Sequence, residues 1–239
     1  MTPCCLACDY DGTLAHDGII DGPTTVALDR FFAAGGRLVM VTGRELPDLQ
    51  TVCSVLNRFE WIVAENGALI HRPSDGFSQL LCPSASAELA QKLAQAGVQP
   101  LSVGRAIIAT REPHETIAFA LIKQLGLELQ IIFNKGAVMI LPTGVNKATG
   151  LTAALAQMKV AAQDIVGIGD AENDHALLSM CGIGVAVGNA VPTLKEHADV
   201  VTKGARGAGV SEIIDRILAG DLATISRKMK TPPSRAAPK

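Results

Sequence analysis

Apolar and polar positions follow two rhythms along this chain, and the switch between them divides it. In the first rhythm, short apolar runs alternate with amphipathic stretches. Residues 4–8 form an uncharged apolar run that ends at Asp9 and reads as a buried strand. The stretch 15–22 is polar and rich in Gly and Asp, as expected of a loop or small flap. Pro23 then opens a helix, where its missing donor costs nothing. Val26, Ala27, Phe31 and Phe32 recur there at helical spacing, and Gly35-Gly36 stops it. Strands are predicted at 38–41 and 61–64, with a helix over 47–56 between them. A turn at Glu65-Asn66-Gly67-Ala68 leads into an apolar segment at 69–71. Such strand–helix alternation predicts a parallel sheet covered on both faces.

The rhythm changes at about Cys82. An Ala-rich helix over 85–96 ends at Gly97, a strand is predicted at 106–110, and a helix over 115–125 is closed by Gly126. Strands at 127–133 and 137–141 flank Asn134-Lys135-Gly136, a hairpin signal. This insert, about 60 residues long, is near the lower size for an independent domain. The first rhythm then resumes, with helices over 148–158, 172–180, 192–197 and 208–218 and strands at 164–168, 182–187 and 199–202. The expected fold class is therefore α/β: a Rossmann-like parallel sheet with helices on both faces, plus a small α+β domain. Residues 1–81 and 143–220 form the core and 82–142 the insert. Residues 221–239 combine Arg227, Lys228, Lys230, Arg235 and Lys239 with Pro232, Pro233 and Pro238. That tail is too polar to fold alone and reads as a disordered segment, or else as a tether to an anionic partner.

Bulk properties narrow the function. With 48% hydrophobic and 18% charged residues the chain can build a globular core, and a formal net charge of −2 gives no case for nucleic acid or membrane binding. No apolar run approaches the roughly 18 residues needed to span a bilayer, and no signal segment is recognisable, so a cytoplasmic location is expected. Cys5 and Cys8 have metal-ligand spacing but no second pair, and they sit in the first strand as small hydrophobes. His16, His71, His114, His175 and His197 are scattered, with no partner at metal spacing. Nothing in the composition decides whether the chain forms a homodimer.

The chemistry concentrates in Cys8-Asp9-Tyr10-Asp11-Gly12-Thr13-Leu14. Two carboxylates at the carboxyl end of a buried strand stand where open α/β sheets bind ligands. Buried without partners they would cost several kcal/mol, and a cation is the usual remedy. Oxygen-only ligands suit a hard ion such as Mg²⁺. Three further fragments follow: Thr42-Gly43-Arg44 after the second strand, Lys147 at the start of a helix, and Gly169-Asp170-Ala171-Glu172-Asn173-Asp174 after a late strand. A cation in a first helical turn opposes the helix dipole, which favours a functional role for Lys147.

These four fragments, in this order, resemble the haloacid dehalogenase superfamily of phosphohydrolases, and most closely its Cof-type branch, whose cap domain lies between the second and third motifs. The resemblance spans roughly 4–215. It implies that Asp9 is the nucleophile that forms an aspartyl-phosphate, and that Asp11 is the acid for the leaving group and then the base for water. Thr42 and Gly43 would bind phosphoryl oxygens, and Lys147 would balance Asp9 and the phosphoryl charge. Asp170 would ligate Mg²⁺ with Asp9 and the Asp11 backbone carbonyl, Asp174 would hold metal-bound water, and Asn173 would touch the phosphate. The cap would choose the substrate, a small phosphorylated metabolite such as a sugar phosphate or phosphoglycolate. Its candidate residues are Arg105, Arg111, His114, Asn134 and Lys135. The arginines read either as a clamp for a second anion or as surface charge. The stretches 81–83 and 142–144 would serve as hinges. A phosphomutase on the same core and a phosphoacceptor signalling protein are the competing functions.

Overall fold

A computed structural model describes residues 5–221, so the expected tail and Cys4 lie outside the described residues. In chain order the elements are β1 (Cys5–Asp9), α1 (Gly22–Ala33), β2 (Arg37–Val41), α2 (Leu46–Val52), β3 (Trp61–Ala64), β4 (Leu69–Arg72) and β5 (Phe77–Leu80). Next come α3 (Ala87–Gln95), β6 (Ser102–Val103), β7 (Ile108–Arg111), α4 (Glu115–Gln124), β8 (Leu129–Asn134) and β9 (Ala137–Pro142). The chain closes with α5 (Lys147–Met158), β10 (Ile165–Gly169), α6 (His175–Met180), β11 (Ile183–Ala186), α7 (Pro192–His197), β12 (Val200–Val201) and α8 (Gly207–Leu218).

The main sheet runs β12-β11-β10-β1-β2-β3-β4-β5. Its members from β12 to β3 are parallel, and β4 and β5 add an antiparallel edge. β1 is central because all five of its residues are buried and both faces are covered. On one face Leu6 and Cys8 pack with Leu28, Phe31 and Ile213 of α1 and α8. On the other, Cys5 and Ala7 meet Leu151, Leu155 and Leu177 of α5 and α6. Burying each such Leu or Ile side chain stabilises the fold by about 1.5–3 kcal/mol. The α/β reading of the sequence is thus correct for the core.

The second sheet, β6-β7-β9-β8, is antiparallel. Its faces differ by the two-residue alternation of β9. Ile140 points to α3 and α4, packing with Leu89, Leu93 and Ile122. Met139 and Leu141 point the other way, with Ala106 and Ile107 of the insert and Ala68 of the core. The bare face of this insert therefore lies over the carboxyl edge of the main sheet.

Two expectations need correction. The helix predicted over 47–56 ends at Val52, because Cys53 leaves helical geometry at φ −98°, ψ 103°. β5 was invisible in the sequence: its residues are exposed or half-exposed, so they carry no apolar alternation. The strand is held by pairing with β4 and by Phe77, which packs edge to face on Trp61.

Candidate active site

Four strand ends bring the motif residues together. Asp9 ends β1, Thr42 follows β2, Glu65 follows β3, and Asp170 follows β10. Lys147 enters from α5. Its first turn is fixed by a capping box, in which Asn146 Oδ1 accepts from the amides of Ala148 and Thr149 while the Thr149 hydroxyl accepts from the Asn146 amide. Gly67, at φ +107°, lets this turn approach, since a Cβ there would overlap the Asn146 carbonyl. Lys147 Nζ then donates to Asp9 Oδ1 and Asp174 Oδ1, each at 2.6 Å. Asp174 Oδ2 accepts from the amides of Asp170 and Ala171 at 2.9 and 3.0 Å, which shapes the loop presenting Asp170.

Asp9, Asp170 and Asp174 are all buried, and each offers an oxygen within 4.8 Å of the others. Burial pushes the Asp9 carboxyl well above the usual carboxylate range. Lys147 acts against that shift, while Asp174 and Asp170 add to it. For Lys147, burial favours the neutral amine, but Asp174 and Asp9 outweigh it and hold the ammonium charged. Lys135 of the insert donates to Asp170 Oδ2. Three carboxylates and two ammonium groups leave one negative charge uncompensated. An oxygen-only donor set with that excess fits a hard divalent cation. Among the described residues this is the one cluster of three or more His, Cys, Asp or Glu side chains arranged to hold a metal.

Asp11 points outward into the cavity. Arg44 grips it with Nε and Nη2 at 2.7 and 2.8 Å, while Nη1 binds Asp48. This bidentate geometry fixes the Asp11 carboxylate. Asp11 Oδ atoms are not part of the three-carboxylate cluster. Thr42 is buried, and its hydroxyl oxygen accepts from the Arg44 amide at 3.1 Å, which leaves the proton to donate. Asn173 Nδ2 donates to Asn66 Oδ1 at 2.9 Å, and Asn173 Oδ1 and Asn66 Nδ2 are buried without a partner. Gly12, at φ +81°, faces Asp170 so closely that a Cβ would overlap Oδ2. Thr13 donates its hydroxyl to Asp170 Oδ1.

A cavity of about 610 Å³ opens above these groups. The core lines it with Asp11, Arg44, Asp170 and Arg206, and the insert with Arg111, Asn134 and Lys135. Lys135 and Gly136 form a two-residue turn with φ of 46° and 82°, which projects the hairpin tip at the core. The 15–22 segment folds back as a flap, pinned by the Tyr10 hydroxyl donating to the Gly18 carbonyl at 2.8 Å. The insert is also tied down behind the site. The fully buried Glu65 carboxylate accepts from the amides of Arg105, Ala106 and Ile107 at 3.0, 2.7 and 3.0 Å.

A family model described as haloacid dehalogenase-like hydrolase matches residues 6–119 and 99–214. The chain belongs to that family. The phosphoglycolate phosphatase 2 of Saccharolobus solfataricus is 33% identical over 222 residues, which cover 90% of this chain and 93% of that protein. The phosphoglycolate phosphatase of Methanothermobacter thermautotrophicus is 30% identical over 227 residues, covering 89% and 98%. Among solved structures, a haloacid dehalogenase-like hydrolase from Bacteroides thetaiotaomicron superposes with a TM-score of 0.73 at 20% identity, over 90% of this chain and all of that one. As a haloacid dehalogenase-like hydrolase of the Cof branch, this protein is a phosphatase.

Within this haloacid dehalogenase-like hydrolase, Lys147 bridges Asp9 and Asp174, Asp170 offers an oxygen within 4.8 Å of both carboxylates, and Thr13 and Asn189 bond to Asp170. Arg111, Asn134 and Lys135 of the insert reach the cavity. Arg105 does not line it: the residue is exposed and meets the core through its backbone amide on Glu65. His114 is likewise elsewhere, its Nε2 on the Gln99 carbonyl. His71, which has no partner at metal spacing, is buried with Nδ1 2.8 Å from the Ser78 hydroxyl. Sequence reasoning gave Arg44 and Thr13 no role, and missed Glu65 and Arg206. Arg44 was detectable, since it directly follows Thr42-Gly43. Glu65 had no such signal, because nothing local marks a carboxylate that accepts from amides 40 residues away.

Proposed function

We propose that the chain is a Mg²⁺-dependent phosphate-monoester hydrolase acting on a small phosphorylated metabolite, phosphoglycolate or a sugar phosphate, through a phosphoryl group carried on Asp9. The observation that carries this reading is the pairing of Asp9 with Lys147 inside a cluster of three buried carboxylates, at the floor of a cavity bordered by cations. The relatives' activity on phosphoglycolate supports the substrate class.

Asp9 Oδ attacks phosphorus, displacing the alcohol oxygen. Lys147 holds the nucleophile's orientation and balances its charge without leaving the Asp9–Asp174 bridge. Asp11 first leaves the bidentate pair with Arg44, which holds it as the carboxylate, and takes up a proton from solvent; it then protonates the leaving oxygen and regains a proton from the water that cleaves the acyl phosphate. The Thr42 hydroxyl and the amide at Gly43 donate to phosphoryl oxygens. Asp9, Asp170 and the Asp11 backbone carbonyl would hold Mg²⁺, with Asp174 behind them. When bound, the ion supplies charge neutralisation at the transferring phosphoryl group. The hairpin tip and the flap exclude bulk water from the cavity.

Release of inorganic phosphate from a panel of monoesters tests this reading. Turnover should require Mg²⁺, stop on chelation, and fall by several orders of magnitude in Asp9→Asn, which keeps shape but loses the nucleophile. Activity that survives exhaustive chelation, near-normal turnover in Asp9→Asn, or a phosphate moved within the substrate rather than freed would overturn it.

A further inference from the structure

Four cationic side chains line the cavity, and two of them are already paired. Arg44 is held by Asp11 and Asp48, and Lys135 by Asp170. Arg111 and Arg206 line the same cavity, and among the described residues neither guanidinium has a carboxylate or hydrogen-bond partner. They come from opposite sides. Arg111 ends β7 in the insert, and Arg206 stands in the core loop that leads into α8.

Arg206 carries a second, independent signal. Its backbone sits at φ 53°, ψ −136°, a region that favours glycine. Glycine is available on either side, at Gly204 and Gly207, yet an arginine occupies the strained position. Strain of this kind persists where the surroundings enforce it. Here the Arg206 amide donates to Asn189 Oδ1 at 2.7 Å, and Asn189 Nδ2 donates to the Gly12 carbonyl at 2.8 Å. Arg206 is therefore tied through one side chain to the loop that carries Asp9 and Asp11.

We propose that Arg111 and Arg206 are specificity-determining residues that clamp a carboxylate at the far end of the substrate. The planar guanidinium matches a carboxylate bidentately, and two of them facing one cavity can share its oxygens. An anionic tail then bridges insert and core, so the substrate itself favours the closed arrangement. A neutral tail leaves both cations without a partner and is disfavoured. This inference rests on the phosphatase reading of the Asp9 site and adds the recognition element to it.

The test compares phosphoglycolate with 2-hydroxyethyl phosphate, a monoester of the same length ending in a neutral hydroxyl. In the Mg²⁺-loaded enzyme, Arg206→Gly should lower kcat/KM on phosphoglycolate roughly tenfold to a hundredfold, the loss expected for a charged hydrogen bond, and chiefly through KM. On the neutral ester the change should stay within about twofold. Glycine suits this backbone, so the thermal midpoint should hold or rise, which separates lost recognition from lost folding. Arg111→Ala should act in the same direction, and the double variant should fall short of the product of the two single effects. Equal losses on both esters, no loss on either, or a wild-type preference for the neutral ester would overturn the clamp alone. A wild-type enzyme that frees phosphate from no monoester overturns the phosphatase reading and the clamp with it.

Discussion

Replacing Lys147 with methionine should reveal how the buried charges are balanced. Lys147, Asp9 and Asp174 have side-chain exposures of 1%, 6% and 0%, and the ammonium lies 2.6 Å from each carboxylate. Methionine fills nearly the same volume, so little of the effect comes from a cavity. What remains is two carboxylates facing each other beside Asp170, with no internal cation of their own. Removing one partner of a buried pair costs about 3–5 kcal/mol, and the double contact puts this site in the upper part of that range. A domain of this size loses roughly 2–4 °C per kcal/mol, so the midpoint should fall by about 8–20 °C. The pH dependence has a definite sign. Burial already raises Asp9 above its ordinary range with Lys147 in place, and without the opposing ammonium the carboxyl rises further. A carboxyl raised in the folded state destabilises that state as pH climbs through the folded value. The variant's deficit should therefore narrow toward acid pH, where protonation relieves the repulsion, and widen toward alkaline pH. Wild-type Lys147, held above its ordinary range by Asp174 and Asp9, stays charged throughout that change. Thermal unfolding by circular dichroism at pH 5–8 reads the effect, and millimolar Mg²⁺ should narrow the gap by binding the folded form. A midpoint equal to wild type at pH 8 without divalent cation, or a deficit independent of pH, would refute the reasoning.

Two other substitutions follow from the same geometry. Glu65→Gln replaces one carboxylate oxygen with an amide that cannot accept from the insert's backbone. It should cost about 2 kcal/mol in chemical denaturation and speed hydrogen exchange at the amides of Arg105, Ala106 and Ile107; unchanged exchange there would count against it. Gly12→Ala must adopt φ +81° and displace the Asp170 carboxylate, so the Mg²⁺-dependent rise in thermal midpoint should shrink along with turnover, and a full rise would contradict the close approach.

The sheet edge that carries the candidate site was legible because its residues are set by local rules. Asp9 and Asp170 terminate apolar strands, Lys147 opens a helix, and Gly12 turns the chain, so each is marked by its own neighbours in sequence. The β8–β9 hairpin was legible because it carries turn residues at Lys135 and Gly136. What was hidden depends on contacts between distant segments. Arg105 and Arg111 look alike in sequence, but the alternation along β7 and the loop before it place one on the surface and the other at the cavity. β5 is a strand only because β4 offers it a partner. Arg206 sits among small residues in a loop, and only the folded backbone shows its strained angles.

Glu65 bears on how such a protein could be rebuilt from parts. Exchange of the inserted block between relatives is one way to reshape the cavity. Here the core presents a carboxylate with no exposure to water, and its three amide donors all belong to the insert. A transplanted block that closed the cavity well but lacked three inward amides at this spot would leave an orphaned charge in the junction. Compatibility between donor and recipient is thus decided on the side of the junction facing away from the substrate, and matching the 104–107 loop comes before choosing the side chains that read the ligand.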